Sequence, residues 1–317
     1  WPTEYGGQAR SAMDQLIFTD EAAIAGAPVP FLTINSVAPT IMAYGTDEQK
    51  AFYLPKIASG DLHFSIGYSE PGAGTDLAAL RTTAVRDGDD YVINGGKMWT
   101  TNGTQADWMC LLANTSEGSP HKSKTLICVP MKTKGISIAK KLRKIGMMAS
   151  DTAQIFFDDV RVPQRYRIGE EGMGFTYQMQ QFQEERLWAA ANAVEGLLRN
   201  LNDTVDYIRE RKIFGQTVLD FQVVHFRLAE LKTEVEALRA LTYRAVDLYV
   251  SGKDVTELAS MAKLKAGRLL REVPDACLQY WGGMGYTWDN PVSRAYRDGR
   301  LASIGGGADE VMLGIIC

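Results

Sequence analysis

The sequence predicts an α+β multi-domain protein, with N-terminal helices, a middle β-barrel or sandwich and a C-terminal helical bundle. Three observations predict it. Helix caps punctuate the first sixty residues. Short alternating runs broken by turn residues fill the stretch from Phe64 to about Val162. From Phe175 onward, apolar residues recur at helical spacing. The corresponding boundaries are 1–62, 63–170 and 171–317.

In the first segment, Ser36 is a candidate hydroxyl N-cap for a helix to Tyr44, with Pro39 near its first turn. Gly45-Thr46-Asp47-Glu48-Gln49 then supplies a break, a new N-cap and acidic first-turn residues. In the middle segment, Thr82–Val85, Tyr91–Asn94 and Thr125–Val129 have strand texture, and Asp87-Gly88-Asp89 reads as a turn. In the third, Val224, Leu228, Leu231, Val235, Leu238 and Leu241 make one apolar stripe. Asp254 to Tyr280 reads as a further long helix stopped by Gly282-Gly283.

Composition excludes several classes. The 317 residues are 45% apolar and 23% charged, ordinary for a globular chain long enough for several packed layers. A net charge of -4 argues against a nucleic-acid-binding face. No apolar run reaches the roughly 18 residues of a membrane span. The chain starts at Trp1, so targeting is not legible, and both ends are expected to be truncated. Cys110, Cys128, Cys277 and Cys317 lack paired spacing and are expected to be buried, reduced thiols. His63, His121 and His225 are the only histidines, and no GxSxG, HExxH or other metal-ligand spacing is present. No metal is expected, and His225 reads as a satisfied core or interface residue.

Five segments carry chemistry. They are Tyr68-Ser69-Glu70-Pro71-Gly72-Ala73-Gly74-Thr75-Asp76, Lys97-Met98-Trp99-Thr100-Thr101-Asn102-Gly103, Arg209–Gln216 with Gln222, Gln279-Tyr280-Trp281-Gly282-Gly283-Met284-Gly285-Tyr286, and Ile304-Gly305-Gly306-Gly307-Ala308-Asp309-Glu310. Each has a plain reading when taken alone. The first is a tight turn rather than a dinucleotide loop, since β texture follows it. Trp99 alone would be a core residue. The third would be a basic helix end closed by a glycine cap, and Gly282-Gly283 a helix terminator. In this order and spacing they resemble the acyl-CoA dehydrogenase family over essentially the whole chain.

The resemblance implies FAD as cofactor and a C-terminal four-helix bundle. It implies that Trp99 packs on the flavin and Thr101 bonds near its N5. Tyr68, Ser69, Gly74 and Thr75 contact flavin or CoA, with Ser69 and Thr75 also serving substrate. Arg211, Phe214, Gln222, Gln279, Gly282 and Gly283 reach the FAD of a neighbouring subunit. Ala308 and Glu310 fall on terminal FAD positions, where Ala308 lacks a hydroxyl that relatives carry. An aromatic face suits an isoalloxazine, and a guanidinium suits a pyrophosphate.

Many family members place the catalytic glutamate second in the terminal motif, and here that position is Gly306. In the isovaleryl- and long-chain branches the glutamate sits on a C-terminal-domain helix, directly before an arginine. Phe182-Gln183-Glu184-Glu185-Arg186 matches that segment. Glu185 is then the base, Arg186 its anchor on the substrate side, and Gly305 a further substrate position. Glu184 lies about 100° further round the helix. A solvated helix face is the plain reading for these residues. The Gly306 N–H can still polarise a thioester carbonyl.

The implied reaction is α,β-dehydrogenation of an acyl-CoA, as in fatty-acid β-oxidation, with electrons passed to an electron-transfer flavoprotein. Three glycines and a relocated base suit branched or bulky acyl groups. Residues 1–100 resemble actinobacterial dehydrogenases of steroid side-chain CoA esters, and residues from about 105 resemble the citronellyl-CoA branch. A flavin oxidase and a non-catalytic partner subunit are the alternatives. At least a dimer is implied, with a homotetramer usual in the family and a heterotetramer open. The location would be cytoplasmic in a bacterium or the mitochondrial matrix in a eukaryote.

Overall fold

The computed structural model describes residues 1–27, 29 and 31–317. Helices α1 (Ala12–Ala25), α2 (Ala38–Tyr44) and α3 (Asp47–Ser59) precede strands β1 (Phe64–Gly67), β2 (Thr83–Asp87), β3 (Asp90–Thr101), β4 (Trp108–Asn114), β5 (Lys124–Pro130), β6 (Ile136–Lys141), β7 (Thr152–Pro163) and β8 (Arg167–Ile168). Then come α4 (Gly174–Glu210), the short strands β9 (Lys212–Ile213) and β10 (Gln216–Thr217), α5 (Gln222–Val250), α6 (Thr256–Trp281), α7 (Pro291–Gly299) and α8 (Asp309–Ile316). Among the described residues no helix is long and apolar enough to cross a membrane. The expected succession of helices, sheet and helices is the observed one.

The chain divides into two compact units. One comprises Trp1–Arg10, Pro30–Lys144 and Met148–Phe182; the other comprises Ser11–Val29, Ile145–Met147 and Gln183–Cys317. The first unit is built on a mixed eight-stranded sheet in the order β6-β7-β3-β2-β4-β5-β8, with β1 paired in parallel to β4. The Asp87–Asp90 pairing closes a tight β2–β3 hairpin at the expected turn. Alternate inward residues such as Tyr91, Ile93, Met109, Leu111, Ile127 and Ile155 form one core, while Phe64, Cys110, Leu112 and Cys128 pack with Ile41, Tyr53 and Leu54 of α2 and α3 in another. Thr46 caps α3 in a reciprocal capping box with Gln49, as its sequence predicts.

Ser36 does not cap α2. The helix is continuous with a π-helical segment, Thr33–Val37, so Ser36 is interior and buried, and its hydroxyl has no hydrogen-bond partner among the described residues. A polar group at a π-bulge has the i→i+5 ladder around it, which periodicity alone does not signal.

The second unit is helical. Leu187, Ala190, Val194, Leu197 and Leu201 run along one stripe of α4, and Val224, Leu228, Leu231, Val235 and Leu238 along α5, with Ala262, Ala266, Leu269 and Val273 of α6 completing the core. Trp281 stacks on Tyr207 at 3.9 Å and donates its indole N–H to the Thr204 hydroxyl at 3.0 Å, which locks the end of α6 to α4. His225 is satisfied by the Leu219 carbonyl at 2.9 Å. Cys110, Cys128 and Cys277 are buried thiols, but Cys317 is exposed, because it follows the last turn of α8.

Candidate active site

In the first unit, two sequence segments meet. The loop after β1 is a tight turn closed by reciprocal Glu70–Ala73 backbone bonds, which leaves Gly74 and Thr75 exposed and Tyr68 and Ser69 half-buried. It is pinned to β3 twice: the Met98 N–H donates to the Ser69 carbonyl at 2.9 Å, and the Lys97 ammonium donates to the Tyr68 carbonyl at 2.9 Å. Lys97 also pairs with Glu70 at 2.9 Å, both side chains being buried. Glu70 in turn accepts from the Arg81 N–H at 2.7 Å and the Thr82 N–H at 2.9 Å. Burial alone would raise the Glu70 carboxyl, but Lys97 and these donors outweigh it and hold it below the usual carboxylate range. Burial lowers Lys97 to about 8, against the pull of Glu70. Sequence reading passed over this pair. Its one signal is a lysine on a strand whose neighbours face the core.

The same strand delivers Trp99. The β3–β7 register shifts between Lys97 and Thr100, and Trp99 takes a left-handed φ of 63°. That bulge turns the indole outward, leaving it 60% exposed, so Trp99 is not the core residue it would be on an even pleat. Thr101 ends the strand half-buried.

In the second unit, Arg211 follows α4 and donates to the Tyr280 carbonyl at 2.8 Å. Gly282 sits at φ 61°, where a Cβ would lie 2.7 Å from the guanidinium, so only glycine leaves this approach open. Arg211, Gln279 and Gly282 thus belong to one cradle. The Phe214-Gly215 pair is not a helix cap: both residues have positive φ, at 50° and 81°, and they turn the β9–β10 hairpin in the I′ manner. Phe214 stands 95% exposed at its tip. Gln222 and Gln279 are exposed at the start of α5 and the end of α6, and Gly283 is exposed beyond it.

The terminal motif lies in this unit too. Gly306 and Gly307 have φ of 64° and 98°, and the space beside Gly306 is open. Gly305 and Gly306 are exposed. Ala308 is the N-cap of α8 without a side-chain cap bond, and Glu310 is exposed in its first turn. On α4, Glu185 is half-buried and Arg186 buried. Burial lowers the Arg186 guanidinium while the Glu185 charge opposes that effect. Lys263 on α6 donates to the Gly307 carbonyl; burial lowers its ammonium, Asp309 opposes that and the charge of Arg186 adds to it. Glu184 faces elsewhere. It lines an apolar pocket with Leu16, Leu187, Trp188, Ala191 and Val246, and accepts from the Tyr249 hydroxyl at 3.3 Å. Burial, then Glu184, pushes that phenol up to about 12.

Three family models cover the chain: the acyl-CoA dehydrogenase N-terminal domain over residues 1–61, the middle domain over 65–160 and the C-terminal domain over 172–317. The chain belongs to the acyl-CoA dehydrogenase family. It is 46% identical to acyl-CoA dehydrogenase FadE26 of Mycobacterium tuberculosis, covering 100% of this chain and 82% of the relative. A chain of the ChsE4-ChsE5 complex from the same organism superposes with a TM-score of 0.91 at 45% identity, covering 100% and 83%. A variant steroid ACAD matches with a TM-score of 0.91 at 35% identity, over 100% and 83%. This acyl-CoA dehydrogenase is therefore an FAD-dependent oxidoreductase of the kind that serves fatty-acid β-oxidation, in a family whose members are typically homotetramers. The residues present fit FAD. An exposed indole on a fixed bulge offers an aromatic face, and the side-chain-free Gly282 leaves a backbone-held guanidinium open to an anionic phosphate.

Proposed function

We propose that this acyl-CoA dehydrogenase oxidises the α,β bond of a branched or bulky acyl-CoA to the trans-2-enoyl-CoA, with Glu185 as the base. The observation that carries the reading is Gly306 at the second position of the terminal motif, with open space beside it, in a loop that Lys263 of α6 holds by the Gly307 carbonyl. Of the acidic residues after Gly306, Asp309 is buried and faces Arg271 at 3.4 Å, and Glu310 lies exposed on α8. Asp309 is thereby engaged, and Glu184 is committed to the Tyr249 pocket.

Glu185 takes the α-proton, and the Gly306 N–H donates to the thioester carbonyl as negative charge gathers on its oxygen. Bound FAD supplies the two-electron acceptor for the β-hydrogen and its electron pair. Trp99, Thr101, Tyr68, Ser69, Gly74 and Thr75 would hold the flavin and CoA on one unit. Arg211, Phe214, Gln222, Gln279, Gly282 and Gly283 on the other would reach the FAD of a neighbouring subunit, and Ala308 and Glu310 would be further FAD contacts. Ser69, Thr75, Arg186 and Gly305 serve the acyl-CoA. The three segments 1–62, 63–170 and 171–317 are read as the family's domains.

The bulky-acyl assignment is supported by the open space beside Gly306 in the side-chain-free Gly305–Gly307 loop and by the likeness to a steroid ACAD. The electron acceptor is an electron-transfer flavoprotein. The location follows the host, the cytoplasm in a bacterium. The likeness to a two-component complex makes an unlike partner chain a second reading of the assembly. The intact Arg211 cradle favours a catalytic over a silent subunit. Anaerobic absorbance of the flavoprotein during addition of acyl-CoA esters tests the reading. Bleaching by a branched or steroid ester, lost in Glu185→Gln, supports it. Flavin left unbleached by every ester, or equal turnover of a straight medium chain, overturns it in whole or in its substrate part.

A further inference from the structure

Lys263 is 4% exposed, and its ammonium donates to the Gly307 carbonyl. One helical turn along α6, a Cβ on Gly267 would meet the Ala302 carbonyl at 3.0 Å and Asp309 Oδ1 at 3.2 Å. A turn further, the Arg271 guanidinium stands 3.4 Å from Asp309 Oδ2. Three successive turns of α6 thus grip the segment that carries the glycine motif. Burial is the largest influence on Lys263 and lowers its proton affinity; Asp309 opposes this, and the charge of Arg186 adds to it. A buried cation facing a second cation carries a desolvation cost that an apolar residue of equal length would not. Here the cost is offset by one carbonyl of a loop that has left-handed φ at two consecutive positions. Without that donor the carbonyl would be buried beside α6 with one partner fewer, and the loop would have no side chain of its own to anchor it.

We propose that Lys263 is a positioning residue for the reaction: by holding the Gly307 carbonyl it fixes the Gly306 N–H toward the thioester oxygen. The proposal deepens the function above and rests on Glu185 being the base. The Gly307 carbonyl accepts from Lys263, and the charges of Asp309 on α8 and Arg186 on α4 act on its ammonium in opposite senses. Lys263 touches neither substrate nor cofactor in this role. It acts through the loop.

The test uses the flavoprotein with phenylacetyl-CoA deuterated at the α-carbon. Its β-carbon bears no hydrogen, so α-proton removal is read by deuterium wash-out without oxidation. Wild type washes out the label. Lys263→Met slows wash-out about 100-fold, the scale of losing one oxyanion donor. It also speeds amide exchange at residues 305–308 about tenfold, as expected when a closing hydrogen bond worth about 1.4 kcal/mol is lost. Lys263→Arg, which keeps donor and charge, stays within about threefold of wild type on both readouts. Should the Met variant not fold, Lys263→Leu, which likewise lacks a donor, is read with the same expectation. Wash-out in the uncharged variant at the wild-type rate overturns the role of Lys263 and leaves Glu185 standing. No wash-out in wild type overturns the assignment of the base, and the proposal with it.

Discussion

Lys97 and Glu70 form a buried ion pair at 2.9 Å that ties the Tyr68–Asp76 loop to the strand presenting Trp99. The pair is completed by two backbone donors on Glu70 and one backbone acceptor on Lys97, so neither charge is left with a single partner. Glu70→Gln is expected to cost about 3–5 kcal/mol, because it strands a buried ammonium. Urea unfolding at pH 7 measures it. The Glu70 carboxyl is held below its ordinary value in the folded state. Its stabilisation is therefore present above the unfolded carboxyl pKa and is lost as pH falls through the folded one. The acid limb of a melting-temperature profile should flatten in the variant.

The two adjacent glutamates should separate cleanly. Glu185→Gln removes the base and should slow flavin bleaching about 10²–10⁴-fold. Glu184→Gln should leave bleaching within a few-fold and instead act on Tyr249. That phenol is raised to about 12, so its contribution is full below the ordinary tyrosine pKa and is lost as pH rises through the folded value. Phenolate absorbance in an alkaline titration should show Tyr249 titrating earlier in the variant, while burial still holds it above the ordinary tyrosine value. Equal loss of bleaching in both variants would remove the distinction.

Gly306 has open space for a side chain but a left-handed φ of 64°. Gly306→Glu should cost about 1 kcal/mol, the left-handed penalty less the entropy gained by restricting the unfolded chain. Thermal melting reads that cost. Placed in Glu185→Gln, the same substitution should recover at least about tenfold in bleaching rate, since a carboxylate returns to the loop. No recovery would mean that the loop does not face the α-carbon.

Trp99→Gly should leave apoprotein stability within about 1 kcal/mol, because relief of a positive φ offsets the added chain entropy. The exposed indole has few core contacts to lose. FAD affinity should fall about threefold to tenfold, as expected for one aromatic contact. Flavin fluorescence titration of apoprotein measures it. An unchanged affinity would detach Trp99 from the cofactor.

Gly282→Ala drives a methyl group to 2.7 Å from the Arg211 guanidinium, at a φ of 61° and ψ of -140° that suits glycine alone. A loss of about 1–3 kcal/mol in stability is expected. FAD affinity should weaken along with Arg211→Lys, while Gly283→Ala, with open space beside it, should do neither. Equilibrium dialysis with FAD separates the three.

Much of the fold was legible in the sequence. The period of 3.6 along Val224–Leu238, the Thr46–Gln49 capping box and the Asp87-Gly88 turn are local signals, each set by residues within a few positions of one another. The segments that belong to the site were legible as motifs in order, and the loss of a glutamate at position 306 was legible as a single letter. Local patterning misread Ser36, since a π-bulge arises where one extra residue enters the helical ladder. It likewise gave no account of Trp99, whose outward face depends on a bulge against β7.

Element types, family and the residue chemistry on offer follow from local signals, because backbone propensity and apolar period act over one or two turns of chain. Tertiary structure alone decided which charges meet. Glu70 reaches Lys97 across 27 positions, and Lys263 reaches the Gly307 carbonyl across 44. Both lysines are buried cations whose compensation lies on a distant segment. A charged side chain in an apolar stretch of sequence reads as a defect until the fold brings its partner within hydrogen-bond range. Desolvation then makes that partner obligatory, and the contact becomes a fixed point around which the loop is built.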